Sequence, residues 1–309
     1  MDEDRKQIII AGATGLIGRE LVNSLLNSGY RIVILSRSST RSEEWSQSKS
    51  VRSILWSGEF TTWLAREVEK SFAVINLAGE NLATKPWTQR RRMQLIRSRL
   101  GTTRALAKAC QYAITKPEVF VQASAIGYYP LSDNEVFDEN SDPGTGFLSR
   151  LTSDWESIAK HEIPKEIRLV LIRTGVVLSV NGGMLPQLLK PMKLFVGGWF
   201  GSGSQPVSWI HIKDEVDAIA HLLATQNASG AFNLVAPNPL SQKQLVKIIA
   251  QKTNRLAWVS IPSILVKLLL GKMAEELLLS GNKVEPKRLI GTGFSYTFPT
   301  IEKSLADLL

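Results

Sequence analysis

A strand-forming run from Gln7 to Ala11 leads directly into Gly12-Ala13-Thr14-Gly15-Leu16-Ile17-Gly18, and Leu21, Leu25 and Leu26 then follow at helical spacing as far as Gly29. No other feature limits so strongly what this chain can fold into. Glycines three residues apart between a strand and a helix permit a tight turn and let backbone approach a pyrophosphate. They also let the helix pack closely on the strand, while its N-terminus attracts phosphate. The spacing differs from G-x-G-x-x-G, and a glycine-containing turn can match by chance. Here the strand before and the helix after supply the context that the motif requires. Gly12, Thr14, Gly15, Leu16, Ile17 and Gly18 are therefore candidate cofactor contacts. Arg31 to Leu35 is strand-like again, so the chain opens as a βαβ unit.

Further apolar runs at 51–56, 73–77, 119–123 and 169–172 alternate with helical patterns. Such near-continuous apolar strands belong to a parallel sheet covered on both faces. The expected fold class is α/β, a Rossmann doubly wound parallel sheet with a smaller α+β C-terminal region. The expected division is a dinucleotide-binding domain at 1–175, its sheet completed by later segments, and a smaller closing domain at 176–309. After Arg173 the glycines at 182–183, 197–198, 201 and 203 mark a loop-rich, substrate-binding texture. Beyond it the pattern predicts helices over 214–223, 242–252 and 264–279 and a short strand at 231–235.

The end of the second strand selects the cofactor. An acid there would hold the ribose 2′-hydroxyl of NAD, and a basic residue accommodates the 2′-phosphate of NADP. The chain supplies Ser36-Arg37-Ser38-Ser39-Thr40-Arg41 and no acid until Glu43. The expectation is NADP(H), with Arg37 at the 2′-phosphate and Ser36 as a further cofactor contact; a solvated surface charge is the other reading of Arg37.

Of 309 residues, 37 are Lys or Arg and 28 Asp or Glu, a net charge of +9 that raises a polyanion or anionic-ligand partner. From Asn81 to Pro117 there are nine basic residues and no acid, and the rest of the chain balances. These arginines fall all around a helix and only Trp87 is placed among them for base stacking, which argues against nucleic acid and for a phosphate-bearing cofactor. Cys110 is the single cysteine, so disulfides within the chain and multi-cysteine zinc sites are excluded and a reducing compartment fits. The N-terminus shows no signal h-region. Arg173, Lys267 and Lys272 interrupt the longest apolar stretches well short of the roughly 20 residues needed to span a bilayer. The expectation is a cytoplasmic protein with no membrane partner and no metal site, acting on a small molecule.

GATGLIG at 12–18, NLAGEN at 76–81, SRLGTTRAL at 98–106 and QASAIGYY at 122–129 resemble the extended short-chain dehydrogenase/reductase superfamily. More closely, the chain resembles its SulA-like epimerase-family proteins of the NAD(P)-dependent epimerase/dehydratase type. The resemblance runs through FLSRLTSDWE at 147–156, LIRTGVVLS, GSGSQPVSWIHIKD at 201–214 and the tail with Gly281, Pro286, Gly293-Phe294 and Phe298-Pro299. It implies an NADP-binding Rossmann domain and a C-terminal domain of unknown function over about 250–305. Leu77, Ala78 and Gly79 would line the cofactor path, Glu80 would add a polar contact, and Arg173 would lie near the nicotinamide. Close strand-helix packing is a second reading of Leu77-Ala78-Gly79. The SulA-like label carries no cell-division role, because function does not travel with fold.

In that superfamily a serine positions the substrate oxygen and a Tyr-x-x-x-Lys pair on one helical face moves the proton. The lysine matters because lowering a phenol from about 10 to about 7 takes roughly 4 kcal/mol of differential stabilisation. Ser124 matches the serine. The positions that match the pair read Phe147 and Leu151, and 147–160 contains no tyrosine. Tyr112 and Lys116 have the spacing but precede the Ser124 strand, where helix-end roles are expected. Tyr128 is the candidate proton donor and Tyr129 a weaker one, packing being the other role open to both. Glu135, Glu139 and Asp142 are expected on a solvated loop, and His211 as a structural histidine. Two function classes stay open. One is an NADP(H)-dependent oxidoreductase or epimerase-like enzyme using Ser124 and Tyr128; the other is an NADP-binding regulatory or interaction protein with a degenerate catalytic site.

Overall fold

Alternate residues of an ordinary half-buried strand face water, yet Ile8, Ile9, Ile10 and Ala11 are all fully buried. The cause is a helical layer on each face of the sheet. The computed structural model describes residues 6–38 and 40–309, so Ser39 of the expected phosphate-binding stretch lies outside the described residues. The main unit runs β1 (Gln7–Ala11), α1 (Leu16–Asn27), β2 (Arg31–Ser36), β3 (Val51–Leu55), α2 (Thr62–Glu69), β4 (Ala73–Asn76), α3 (Gln89–Ile96) and α4 (Thr102–Tyr112). It continues through β5 (Val119–Ala125), α5 (Phe147–Glu162), β6 (Arg168–Thr174), α6 (Ile212–Ala224) and β7 (Gly230–Leu234). All seven strands are parallel, in the order β7-β6-β5-β4-β1-β2-β3.

Two apolar layers hold the sheet. On one face Leu21, Val22 and Leu25 of α1 and Ile219, Leu222 and Leu223 of α6 cover Ile8, Ile10, Ile34 and Ile172. On the other, Leu64, Val68, Leu106, Cys110 and Ala159 cover Ile9, Val33, Val74, Phe120 and Leu171. Each fully buried side chain of the Val, Leu, Ile or Phe type contributes about 1.5–3 kcal/mol, so these layers dominate the stability of the unit. Chain order reverses between β1 and β4, which opens a crevice at the carboxyl ends of those strands, where this architecture binds its ligands.

The expected strand at 231–235 forms as β7 and pairs with β6 from Gly230↔Val170 to Leu234↔Thr174. The sheet is thus finished by residues far beyond 175. The smaller unit gathers helices Met184–Lys193, Gln242–Lys252 and Ile301–Leu308 around the buried Trp209, Leu185, Leu245, Ile249 and Leu305. The single helix expected over 264–279 is broken into Ser263–Leu270 and Lys272–Leu277. Between them Gly271 takes φ +57°, a conformation that glycine adopts at little cost and that ends a helix. Among the described residues no helix is long and apolar enough to cross a membrane.

Candidate functional site

At the crevice, Gly12 has φ +87°, and a Cβ there would stand 2.6 Å from the Leu77 carbonyl carbon and 2.8 Å from the Ala78 nitrogen. A Cβ on Gly18 would stand 2.3 Å from the Gly12 carbonyl oxygen. Only glycine fits both places. The turn lies against the loop after β4, and α1 lies against the turn. The Gly15 amide donates to the Gly12 carbonyl at 3.0 Å and closes the turn. Gly15 is also the N-cap of α1, and neither a capping side chain nor an acidic residue occupies the first turn of that helix. Thr14, Leu16 and Ile17 are half-buried on the same lip, and Gly182, from the smaller unit, lies against the Leu16 side chain. A backbone cradle at the positive end of a helix dipole fits the pyrophosphate of a dinucleotide.

Arg37 follows β2 and is largely exposed, with Nη1 at 3.0 Å from Oε1 of Glu80. The other Glu80 oxygen lies 3.3 Å from Nη1 of the buried Arg91. Burial raises the Glu80 carboxyl, but the hydrogen bonds and charges of Arg37 and Arg91 outweigh it and hold the group below its ordinary value. The Ser36 hydroxyl donates to the Ser38 carbonyl at 2.8 Å. That side chain is engaged within its own turn.

Part of the basic segment packs inward: Arg91 is buried and Arg92, Arg99 and Lys116 are half-buried, while Lys85, Arg90, Arg97, Arg104 and Lys108 are exposed. Between α3 and α4, Arg97–Gly101 forms one π-helical turn, a local widening often found at functional sites. Arg99 on that turn donates to the Glu80 carbonyl at 3.0 Å, and Arg91 to the Asn81 carbonyl at 2.6 Å. The Arg99 guanidinium carbon lies 3.2 Å from where a Gly79 Cβ would be. Part of the excess charge therefore braces the loop after β4, instead of lying in solvent.

Ser124 on β5 and Arg173 on β6 are register partners. Arg173 is 3% exposed and Glu156 of α5 is 1% exposed. The guanidinium grips the carboxylate through Nε at 2.7 Å and Nη2 at 2.9 Å. Ser124 Oγ donates to the same carboxylate at 2.7 Å. Arg173 Nη1 donates to the Tyr129 hydroxyl at 2.9 Å, which in turn donates to Asn233 Oδ1 at 2.6 Å. The guanidinium also lies 3.6 Å over the Tyr128 ring. Arg173, expected as a cofactor contact, is held by Glu156 and lies against the two tyrosines, as a buried guanidinium needs a carboxylate partner. Burial raises the Glu156 carboxyl, yet Arg173 and Ser124 more than reverse this and hold it below its ordinary value.

Burial pushes the Tyr129 phenol up to about 12 against the pull of Arg173. It raises Tyr128 as well, with Arg173 opposing. Tyr129 is fully buried and Tyr128 half-buried, so Tyr128 is the phenol nearer the surface of this cluster.

Other residues find different places. Lys116 donates to the Gln111 and Ala113 carbonyls at the end of α4, a helix-terminus contact. His211 is the N-cap of α6, its Nδ1 accepting from the Lys213 amide. Glu139 is not on a solvated loop: it is buried, and its Oε1 accepts from the amides of Asn233 and Arg288. Sequence reasoning missed Glu156, although a signal existed. Thr152, Trp155, Glu156 and Ala159 share the buried stripe of α5, and a carboxylate on such a stripe demands a buried cation.

Residues 8–234 match the model of the NAD dependent epimerase/dehydratase family, and residues 261–308 match a domain of unknown function, DUF1731. The chain is 34% identical over 309 residues to the epimerase family protein SDR39U1 homolog, chloroplastic, of Arabidopsis thaliana, covering 99% of this chain and 88% of that one. It is 33% identical to the epimerase family protein YfhF of Bacillus subtilis, covering 98% and 97%. The crystal structure of human epimerase family protein SDR39U1 (isoform 2) with NADPH superposes with a TM-score of 0.85 at 30% identity, covering 98% of each chain. The glycine cradle at the strand-order reversal and these likenesses agree, and the chain belongs to the NAD-dependent epimerase/dehydratase family.

Proposed function

We propose that this protein binds NADP(H) and acts as an oxidoreductase or epimerase-like enzyme on a small molecule. The observation that carries the reading is the Gly12–Gly18 cradle at the N-terminus of α1, with the basic Arg37 side chain at the end of β2. The human relative with NADPH supports it. Gly12, Thr14, Gly15, Leu16, Ile17 and Gly18 would hold the pyrophosphate, Arg37 the 2′-phosphate, and Leu77, Ala78 and Gly79 the path between the two nucleotide halves. When bound, the nicotinamide supplies hydride transfer.

The chain's own residues supply orientation and the proton. Arg173, fixed by Glu156, lies over the Tyr128 ring as the positive charge that the usual lysine would provide. Burial outweighs its charge and keeps Tyr128 a protonated phenol, so Tyr128 would act as a proton donor, though a weaker acid than a tyrosine paired with lysine. Ser124, anchored on Glu156, would orient the substrate oxygen toward that phenol.

A second reading, an NADP-binding regulatory or interaction protein, draws on the same cluster. Here the Ser124 hydroxyl donates its hydrogen bond to Glu156 and the Tyr-x-x-x-Lys pair is missing. Calorimetric titration with NADPH and a carbonyl-substrate screen that follows NADPH oxidation separate the two. The enzyme reading expects oxidation with at least one substrate, and Tyr128→Phe should lose most turnover while keeping NADPH affinity. Binding without turnover across the screen decides for the second reading.

A further inference from the structure

The sheet order sets β4 and β2 on either side of β1, so their carboxyl-end loops flank the glycine turn, about 10 Å apart at the strands. The Arg37–Glu80 ion pair, 3.0 Å long, joins those loops and so crosses the crevice where the adenosine end of a dinucleotide belongs. Its two ends are held unequally. Glu80 is fixed by Arg91 through its second oxygen, by its own amide donating to Ser98 Oγ at 3.1 Å, and by Arg99 on its carbonyl. The Arg37 side chain is 66% exposed, against 29% for Glu80, and is the partner free to swing.

We propose that Glu80 moderates the preference of this site for NADP(H) over NAD(H) by competing with the 2′-phosphate of NADP(H) for the Arg37 guanidinium. The inference rests on the cofactor reading above. An acid near the adenosine ribose accepts from a 2′-hydroxyl, and a basic group takes a 2′-phosphate. This chain brings both together, the acid arriving from the β4 loop instead of from β2. Binding of the phosphate requires Arg37 to leave Glu80, which Arg91 keeps in place as a negative charge beside the incoming one. Binding of NAD(H) leaves the pair intact and offers Glu80 an extra donor. Glu80 therefore narrows the advantage of NADP(H) over NAD(H).

The test is calorimetric titration of the full chain with NADPH and with NADH, for wild type, Glu80→Gln, Arg37→Gln and the double variant. Glu80→Gln should bind NADPH about threefold more tightly, within the roughly fivefold that an exposed ion pair supports. NADH should bind no better, so the ratio of the two dissociation constants rises. Arg37→Gln should lower that ratio, and the gain from Glu80→Gln should shrink in its background. An unchanged or lowered ratio in Glu80→Gln, or an equal gain in both backgrounds, overturns the proposal and leaves Glu80 a brace for its loop. If Glu80→Gln melts far below wild type without nucleotide, Glu80→Asp takes its place. It keeps the charge beside Arg91 but shortens the reach to Arg37, and an unraised ratio there is equally fatal. Wild type binding neither nucleotide removes the cofactor reading itself, a result distinct from binding with an unmoved ratio.

Discussion

Gly12 and Gly15 belong to one turn but are constrained to different degrees. A methyl group at Gly12 meets the backbone of Leu77 and Ala78 within 2.8 Å at φ +87°, whereas at Gly15 it meets only the Gly12 carbonyl oxygen, at 3.2 Å. Strained backbone and collision with a neighbouring strand end act together at the first position. Gly12→Ala should weaken NADPH binding about tenfold or more and lower the melting temperature, and Gly15→Ala should do less of both; titration and thermal melts compare them. Glu156 is the other residue where one atom decides much. Glu156→Gln leaves the Arg173 charge buried without its anion, which should cost about 3–5 kcal/mol in urea unfolding. The sign with pH follows from the lowered carboxyl. Its contribution is complete above the unfolded value of about 4.3 and is lost as pH falls through the folded one, so wild type should lose its advantage over the variant in acid.

The first turn of α6 carries a different charge problem. Glu215 is fully buried; one oxygen accepts from Thr174 Oγ1 at 2.7 Å and the other has no hydrogen-bond partner among the described residues. Burial, only partly offset by Thr174, pushes this carboxyl up to about 8. A group raised on folding stabilises fully below its unfolded value of about 4.3, and that stability is lost as pH rises through the folded value. Wild type should therefore melt lower at about pH 8.5 than at about pH 5, and Glu215→Gln should flatten this difference. Equal slopes for the two proteins in thermal melts would remove Glu215 as the cause. Nothing in the local pattern around Asp214-Glu215 separates these acids from solvated first-turn carboxylates, which helices favour there. The contrast with α5 is instructive, because there the stripe itself marks Glu156 as buried.

For the whole molecule, α6 and β7 tie the two halves of the chain. Residues after 175 supply Ile219, Leu222, Leu223 and Phe232 to the same apolar layer as α1. A fragment ending at residue 175 leaves that face of the sheet and the edge of β6 bare. It should show no cooperative melt and should elute as aggregate in size-exclusion chromatography; a sharp, reversible transition would show that residues 1–175 fold alone. The strands, the glycine turn and the basic end of β2 were legible in the sequence, since each depends on sterics and burial within a few residues. Family resemblance added the loop after β4. The bracing of that loop by Arg91 and Arg99 was not legible, because charge counts say nothing about direction. What the sequence by itself determined is the parallel, doubly wound sheet and the place of its glycine turn, through periodicity and glycine geometry, which are local. What only the tertiary structure decided is which charges meet: Arg173 with Glu156, 17 residues apart, and Arg37 with Glu80, 43 apart. Strand order, not spacing along the chain, brings such groups within hydrogen-bonding reach.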